Sequence, residues 1–233
     1  PPDTLALPPN FLPANPHKDA IGCPHSLRDE RLAPDPRTPH AVRVHRSEYY
    51  ALITYLDEQL GRVLDALEAS GQAANTVVFL TSDNGLSVGQ HGFMGKQNMF
   101  EHSLRVPLLA AGPGIPKGQR VNEPVYLQDI MPTALELAGA PVPGHVRFKS
   151  LLPLLRGGKG PHYAAIYGAY MQLQRMVRVG DRKLIWYPQP NAFLLFDLAA
   201  DPHECRDLAA DPAHAPALAE LKARLAEQMR DLN

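Results

Sequence analysis

The sequence has few cysteines, no long apolar run and almost no net charge, and each shortage excludes a class of protein. Its two cysteines, Cys23 and Cys205, lie far apart and match no spacing of a metal or redox motif, so we expect ordinary thiols. No segment approaches the ~18 consecutive apolar residues of a membrane-spanning helix. The net charge is −1 and there are no lysine–arginine blocks, so no strong field would attract nucleic acid or an anionic membrane.

The beginning of the sequence also lacks the features of a signal peptide. Residues 1–17 have neither a basic start nor an apolar core, and their prolines are typical of a loop from the interior of a longer chain. The compartment and the oligomeric state therefore stay open. Residues 1–45 are expected to form loop or extended coil lying on a core, because they include large apolar side chains that need burial. These side chains are Leu5, Leu7, Phe11, Leu12 and Ile21.

The middle of the sequence predicts an α/β core. Apolar residues recur at three- and four-residue steps across residues 46–70, which predicts an amphipathic helix with Gly71 as its C-cap. Residues 76–82, TVVFLTS, predict a buried strand in a sheet that is covered on both faces. Residues 104–111 predict a second strand.

The pattern changes toward the C-terminus. Residues 127–138 predict a helix that Pro132 starts or kinks and that Gly139 ends. Beyond residue 155 the sequence predicts short antiparallel strands, followed by an amphipathic helix at residues 214–232. Turns are expected at Gly180-Asp181 and at Pro190-Asn191. We therefore predict two domains, an α/β domain at residues 1–158 and a small α+β domain at residues 159–233.

Residues 81–97, TSDNGLSVGQHGFMGKQ, carry the densest chemistry. Ser87 lies in a G-x-S-x-G sequence, but the predicted strand ends near Ser82 and a glycine-rich stretch follows, so the strand–turn–helix context of a serine hydrolase is missing. Gly95-Lys96 also fails as a phosphate-binding loop, because glutamines stand at positions 90 and 97 where that motif needs Gly and Ser or Thr.

A cation and anion site fits this segment better. Asp83 and Asn84 follow a predicted strand, where open α/β sheets place their sites, and both offer the oxygen ligands that Ca²⁺ or Mg²⁺ prefers. Lys96 would supply a positive charge to an oxyanion, and His91 would donate to the same anion or act as general acid. Gln97 and His102 follow closely and are candidate substrate contacts. The alternative is a plain turn, because SDNG is also a good turn sequence.

Three stretches together resemble the sulfatase family of the alkaline phosphatase-like superfamily. They are YYALITYLDEQLGRVLDALEASGQAANTVVFLTSDNG, VGQHGFMGK and RVPLLAAGPGIPKGQRVNEPVYLQDIMPTALELAGAPVP. LFDLAADPHECRDLA is similar to the closing segment of these enzymes, and RDERLAPDPRTP is similar to a sulfatase subgroup. The resemblance implies part of an alkaline phosphatase-like α/β sandwich with a small C-terminal antiparallel sheet and helix.

The resemblance also implies roles for individual residues. Asp83 and Asn84 match the family's cation ligands, usually for calcium, and Lys96 matches the lysine that contacts the sulfate. His91 falls in a G-x-H-G element near the substrate, and Arg105 matches a position with a structural role. The implied substrate is a sulfated glycan or an aryl sulfate, and the implied location is periplasmic or secreted.

The sequence departs from the family at the nucleophile. The family uses a Cys or Ser in C/S-x-P-x-R, oxidised to formylglycine, whereas Cys23 is followed directly by proline and no other Ser or Cys fits. The paired aspartates that complete the cation shell are also absent. We therefore expect this chain to be the C-terminal part of a sulfatase and to be inactive by itself.

Two alternatives stay open. One is a phosphoric or phosphonic ester hydrolase of the same superfamily, which Asn84 disfavours because a zinc site would prefer histidine there. The other is a catalytically inactive binding or structural module.

Residues outside this segment are given plainer interpretations. His145, Arg147 and Lys149 are expected to be solvated loop charges. Four aromatic residues near the C-terminus are expected to be core rather than a sugar-stacking wall. These are Tyr163, Tyr167, Tyr170 and Trp186.

Overall fold

A computed structural model describes residues 1–232, and the chain divides into two compact units. The first unit contains Pro1–Gln59, Asn84–Val106 and the chain from Tyr167 onward. The second unit contains Leu60–Asp83 and Pro107–Ile166. The predicted boundary after residue 158 divides the chain once, whereas each unit is assembled from separate segments. The predicted domain division therefore stays a prediction.

The long helix α1 runs from Pro39 to Ala69 and begins earlier than predicted. The Thr38 hydroxyl accepts a hydrogen bond from the Ala41 N–H at 3.2 Å, and proline fits the first helical position because it has no N–H to leave unpaired. The predicted start at residue 46, and the loop assigned to residues 39–45, are therefore wrong. Gly71, at φ +73°, follows the end of the helix, as the C-cap prediction requires.

The apolar stripe that predicts α1 is exposed along much of its length within the described chain. Its exposed fractions run from 47% to 65%. The residues concerned are Leu52, Ile53, Leu56, Val63 and Leu64. The periodicity therefore identifies the helix correctly without showing what covers it.

Strands β1, Val78–Thr81, and β2, Leu108–Ala111, form an antiparallel pair in which Val78 lies opposite Ala111. The predicted buried strand with both faces covered is wrong for the described residues, because Leu80 is 39% and Leu109 is 58% exposed. The second strand is also shorter than predicted. Residues 104–107 lie outside it because a short helix α2, Glu101–Leu104, precedes it and Pro107 has no N–H for a ladder.

The second unit is built around helix α3, Ile130–Leu137, and the short helix α4, Leu152–Leu155. A 3₁₀ turn, Leu127–Asp129, leads into α3, and the Asp129 carboxylate accepts from the Tyr126 N–H at 2.8 Å. Pro132 is buried in the first turn of α3, where a missing N–H costs little. Its predicted place at the helix start is confirmed, and Gly139 at φ +69° follows the helix end.

The first unit contains the predicted antiparallel sheet, with strands in the order β3-β4-β5-β6. These strands are Ile166–Tyr170, Gln174–Val179, Arg182–Tyr187 and Ala192–Asp197. The turns fall at residues 180–181 and 188–191, as predicted. Helix α5, Ala215–Leu232, packs on β4 and β5 through Ala217, Leu221 and Leu225.

The proline-rich N-terminal segment is anchored at some points and exposed at others. Ile21 is fully buried, whereas Leu12 is 40% exposed, so the expectation of burial is wrong for Leu12. Short 3₁₀ turns occur at Pro2–Thr4 and Asp29–Leu32. None of the helices in residues 1–232 combines the length and apolarity needed to cross a membrane.

Candidate anion-binding site

The segment between β1 and β2 folds back on itself through backbone hydrogen bonds within residues 85–103. The Ser87 N–H donates to Gly95 O at 3.0 Å, and the Gly89 N–H donates to Phe93 O at 2.9 Å. The Gly85 N–H donates to Ser103 O at 2.9 Å. A side chain is impossible at Gly85 without rearrangement, because its Cβ would lie 1.9 Å from the His102 carbonyl oxygen.

Asp83 and Asn84 follow the end of β1 and offer oxygen chemistry to a cation. Asp83 is exposed. The Asn84 side-chain nitrogen donates to Gly85 O at 2.9 Å, so the amide oxygen of Asn84 is the atom with the chemistry of a cation ligand. Both donors suit a hard cation, but Ca²⁺ takes six to eight oxygen ligands. Within residues 1–232 no group of three or more His, Cys, Asp or Glu is arranged to hold a metal ion. The two residues therefore fit as part of a cation shell and no more.

Lys96 is half-buried, and the residues just before it are held by a buried carboxylate. Glu30, 2% exposed, accepts from the Gly95 N–H at 2.8 Å and from the Met94 N–H at 3.1 Å. Asp29 packs against Gly95 as well, since a Cβ there would lie 3.3 Å from Asp29 Cβ. Its hydrogen bond from Arg28, with smaller contributions from the charges of Arg28 and Lys96, holds the pKa of Asp29 below its usual value.

Arg37 ties the same loop to the N-terminal segment. It is 4% exposed and forms an ion pair with Glu30. Its Nε donates to Gly92 O at 3.1 Å, and its Nη1 donates to Ala33 O and Glu30 O at 2.8 Å each. Neither Glu30 nor Arg37 is among the sequence-predicted site residues. The only signal was the weaker resemblance of RDERLAPDPRTP to a sulfatase subgroup.

The residues after Lys96 are held from another side. Gln97 O accepts from the Cys23 thiol at 2.9 Å and from Gln174 Nε2 at 2.8 Å. Burial, and then the charge of Glu30, raises the pKa of Cys23 to about 12, so the thiol stays protonated as the ordinary thiol predicted. The Gln97 side-chain oxygen accepts from the Lys96 N–H at 3.1 Å. Gln97, a predicted substrate contact, therefore also holds the backbone of Lys96 from within the loop.

His91 lies in the core instead of at an open surface. It is 6% exposed, and its ring stacks on Phe100 with centroids 3.7 Å apart. The Asn10 side-chain nitrogen lies 3.0 Å from His91 Nε2. Burial lowers the pKa of His91 to about 4, so the ring is neutral near pH 7. The role of His91 as a general acid stays a prediction, and its buried, neutral ring favours a packing role.

Buried Ser87 and half-buried His102 form a pair that the sequence did not indicate. Ser87 is fully buried, its Oγ lies 2.7 Å from His102 Nε2, and it accepts from Asn98 Nδ2 at 3.1 Å. A fully buried serine in a folded-back loop cannot meet a substrate, which agrees with the rejection of the serine-hydrolase motif. Burial lowers the pKa of His102 well below its usual value, so any substrate contact would be a neutral hydrogen bond.

A buried charge network lies behind these histidines. Lys183 is fully buried and pairs with Glu101 at 2.9 Å and with Glu204 at 2.7 Å. The Glu204 carboxylate also accepts from the Glu101 N–H at 2.7 Å, where α2 begins. Two buried charged groups, Lys183 and Glu204, thus bind the half-buried Glu101 at the start of the short helix that carries His102.

One predicted solvated charge also makes contacts within the second unit. The Lys149 Nζ donates to His162 O at 2.7 Å and lies 4.6 Å from the centre of the Tyr163 ring. The Tyr163 hydroxyl donates to Asp129 Oδ1 at 2.5 Å, and burial is the main cause that raises its pKa. Lys149 is exposed, as expected of a loop charge, and it also binds within its own unit; Tyr163 has the structural role expected of it.

Comparison with known proteins decides the family. A sequence model of the sulfatase family matches residues 14–140, and a model of the C-terminal region of N-sulphoglucosamine sulphohydrolase matches residues 89–231.

The chain belongs to the sulfatase family.

The similar curated proteins are sulfatases of animals and bacteria. This sulfatase-family chain is 37% identical over 188 residues to arylsulfatase K of Danio rerio, covering 74% of this chain and 35% of that protein. It is 35% identical over 181 residues to the choline-sulfatase of Rhizobium meliloti, covering 75% of this chain and 35% of that protein. The sulfatase-family chain therefore spans about a third of the length of the curated relatives it matches.

Solved structures confirm the alkaline phosphatase-like α/β fold, with its small antiparallel sheet and C-terminal helix. A sulfatase-family structure from Bacteroides thetaiotaomicron matches with a TM-score of 0.82 and 27% identity, covering 97% of this chain and 52% of that one. A phosphonate monoester hydrolase from Silicibacter pomeroyi matches with a TM-score of 0.84 and 25% identity, covering 99% of this chain and 51% of that one. The fold is thus shared by hydrolases of two ester classes.

Proposed function

We propose that the protein containing this chain hydrolyses sulfate esters and that Lys96 contacts the sulfate group. The observation that carries the proposal is the anchoring of the lysine loop. Buried groups hold its backbone on both sides of Lys96, at Gly95 through Glu30 and at Gln97 through Cys23 and Gln174. Such fixed placement suits a charge that must meet a developing negative charge without rearrangement.

The proposed roles of the other residues follow from their chemistry. Asp83 and Asn84 would hold Ca²⁺, or Mg²⁺, as part of a larger oxygen shell. The cation, when bound, would offset negative charge on the ester oxygens. Lys96 would hold the non-bridging oxygens, and Gln97 and His102 would offer neutral hydrogen bonds beside it. The chain contains no C/S-x-P-x-R sequence, so the formylglycine nucleophile implied by the family is not one of its 233 residues.

Similar proteins indicate the substrate class for this proposal. One curated relative is an N-acetylglucosamine-6-O-sulfatase of Bacteroides thetaiotaomicron, at 32% identity. One solved relative, with a TM-score of 0.72 and 28% identity, is in complex with its substrate D-glucosamine-2-N,6-O-disulfate. We therefore propose a sulfated glycan as the substrate, with an aryl sulfate as the alternative within the class.

A phosphonic or phosphoric ester hydrolase is the second candidate, because the phosphonate monoester hydrolase matches with a TM-score of 0.84. Asn84 supports the sulfate ester proposal, since an amide oxygen suits calcium better than it suits zinc. An inactive module would keep the fold while losing cation-dependent stabilisation.

The test uses the full-length gene product with 4-nitrophenyl sulfate and 4-nitrophenyl phosphate, each with calcium and with chelator. We expect sulfate turnover that chelator abolishes. We expect Lys96→Ala to lower kcat by roughly 100-fold or more, because it removes a charge that stabilises the transition state. Asp83→Ala should remove the calcium dependence.

Lys159→Ala, a change of an exposed lysine, is the matched control and should leave turnover unchanged. Faster phosphate than sulfate turnover would contradict the proposal and favour the second candidate. If neither aryl ester reacts, sulfated glucosamine is assayed for sulfate release. Calcium-dependent melting that persists in Asp83→Ala would contradict the proposed cation ligand.

A further inference from the structure

The buried ion pair between Glu30 and Arg37 contacts three backbone groups of the lysine loop within residues 92–95. Glu30 binds the N–H groups of Met94 and Gly95, and Arg37 binds the carbonyl of Gly92. Both side chains are 2% exposed in the ion pair. The pair is thus a clamp on residues 92–95, and Lys96 is the next residue along the chain.

The chemistry of the clamp makes it stiff. Hydrogen bonds from backbone N–H groups to a carboxylate are shorter and roughly twice as strong as bonds between neutral groups. Glu30 cannot move away without leaving a charge buried beside the unpaired guanidinium of Arg37. The Arg37 guanidinium is fixed in turn, because its other donors bind the carbonyls of Glu30, Ala33 and Pro34.

Local geometry indicates that the loop needs this clamp. Gly95 leaves room for the Glu30 carboxylate, since a Cβ at that position would lie 2.9 Å from Glu30 Oε1. Gly92 adopts φ +81°, and its Cβ would lie 2.5 Å from Asn15 N. A glycine-rich loop has little conformational preference of its own, so the buried charges define its path.

We infer that Glu30 and Arg37 are positioning residues that preset Lys96 for the anionic group of the substrate. The inference rests on the proposed function, because it assigns the clamp to the sulfate contact of that site. Displacement of a catalytic contact by about 1 Å lowers a rate by up to 100-fold, so release of the clamp lowers kcat more than it raises KM.

The test is a double-mutant cycle in the full-length protein. Glu30→Gln keeps the size of the side chain and removes the carboxylate charge. We expect kcat/KM for the sulfate ester to fall at least tenfold, chiefly through kcat. In a Lys96→Ala background the same change should alter kcat/KM less than twofold, because a positioning residue that acts through Lys96 has nothing left to position.

Asp129→Asn is the matched control, because Asp129 is also a fully buried carboxylate that accepts from two backbone N–H groups, those of Tyr126 and Lys149. Asp129 lies in the second unit. We expect turnover by Asp129→Asn to stay within twofold of wild type at a temperature where Asp129→Asn and Glu30→Gln are both folded. Equal losses from Glu30→Gln in the presence and absence of Lys96 would overturn the inference, as would wild-type turnover in Glu30→Gln.

A second measurement separates this inference from the proposed function and covers a variant that folds poorly. Amide hydrogen exchange at Met94 and Gly95 is compared among wild type, Glu30→Gln and Arg37→Lys. We expect at least tenfold faster exchange at these amides in both variants. In Asp129→Asn the exchange rate at these amides should equal that of the wild type. Unchanged protection in both variants overturns the clamp. Absence of sulfate turnover by the wild type overturns the proposed function instead, and the exchange data then decide the clamp alone.

Discussion

At the scale of single residues, the surroundings of each side chain in the candidate site set its charge. His91 and His102 are kept neutral, because burial lowers the pKa of both and the positive charge of Lys183 lowers each further. Lys96, rather than either histidine, therefore supplies the positive charge of the proposed anion contact. A neutral His91 packed on Phe100 also links the site to the stability of the first unit.

The titration of His91 predicts a loss of stability in acid. Its pKa is about 4 in the folded state and ~6.5 in the unfolded state, so the unfolded chain binds a proton first as the pH falls. The contribution of His91 to the free energy of unfolding should therefore be complete above pH ~6.5. At pH ~5 this contribution should be smaller by about 2 kcal/mol.

His91→Asn removes this titration, and asparagine tolerates the positive φ of 51° found here. The difference in melting temperature between pH 7 and pH 5 should be smaller in the variant than in the wild type. His102 titrates in both proteins, and because the charge of His91 also lowers the pKa of His102, the variant reduces that shift as well. Equal pH dependence in the two proteins would show that His91 is not held neutral by burial.

At the scale of elements, close backbone contacts shape the loop that carries Lys96. Gly85 lies against the carbonyl of His102, and Gly92 lies against the backbone of Ala14 and Asn15. These contacts let residues 84–106, which follow β1 and precede β2 in the chain, fold back with the short helix α2 as their regular element. The backbone path of this loop is thus set by its contacts with distant residues. In the sheet β3–β6, by contrast, local turns set the path of the chain.

Gly92→Ala tests the close approach of the loop to the N-terminal segment. Its Cβ would lie 2.5 Å from a backbone nitrogen, so the backbone must move. Gly114→Ala is the control, because Gly114 has a similar φ of +77° against +81° but no atom within 4 Å of the added Cβ.

We expect Gly114→Ala to cost about 1 kcal/mol for the left-handed backbone alone. Gly92→Ala should cost at least ~2 kcal/mol more, because overpacking of backbone against backbone adds to that strain. Thermal melting of the two full-length variants measures the difference. Similar melting temperatures would mean that the N-terminal segment is not packed against the loop.

At the scale of the whole molecule, helix α1 presents a stripe of apolar side chains that nothing in the described chain covers. Leu52 is 65% and Leu56 is 56% exposed, and Val63 and Leu64 continue the stripe. Contiguous apolar surface of this kind marks an interface or a tendency to associate. The isolated 233-residue chain should therefore bind an apolar dye through this helix.

Replacing Leu52 and Leu56 with lysine should lower dye binding and self-association of the 233-residue chain at least twofold, with little change in helix content. Glu58→Lys, at an exposed polar position of the same helix, is the control for added positive charge. Fluorescence titration with an apolar dye and sedimentation measure the two effects. Equal dye binding by the parent chain and the double variant would place the apolar surface elsewhere.

The sequence by itself determined the elements whose signals are local. The turns at Gly180-Asp181 and Pro190-Asn191, the terminal helix and the cap at Gly71 follow from residues that set their own backbone. The start of α1 at Thr38-Pro39 was equally local and was nevertheless missed. Family membership also followed from short quoted stretches, because strand-end and loop motifs are contiguous in sequence.

Only the tertiary structure decided which groups surround the candidate site. Glu30 meets Gly95 across 65 positions, and Lys183 meets Glu101 across 82. No local pattern encodes such pairings, because hydrogen bonds and burial depend on distance in space rather than along the chain. The same reason explains His91, whose G-x-H-G context predicted chemistry, while its contacts with Asn10 and Phe100 place it in the core.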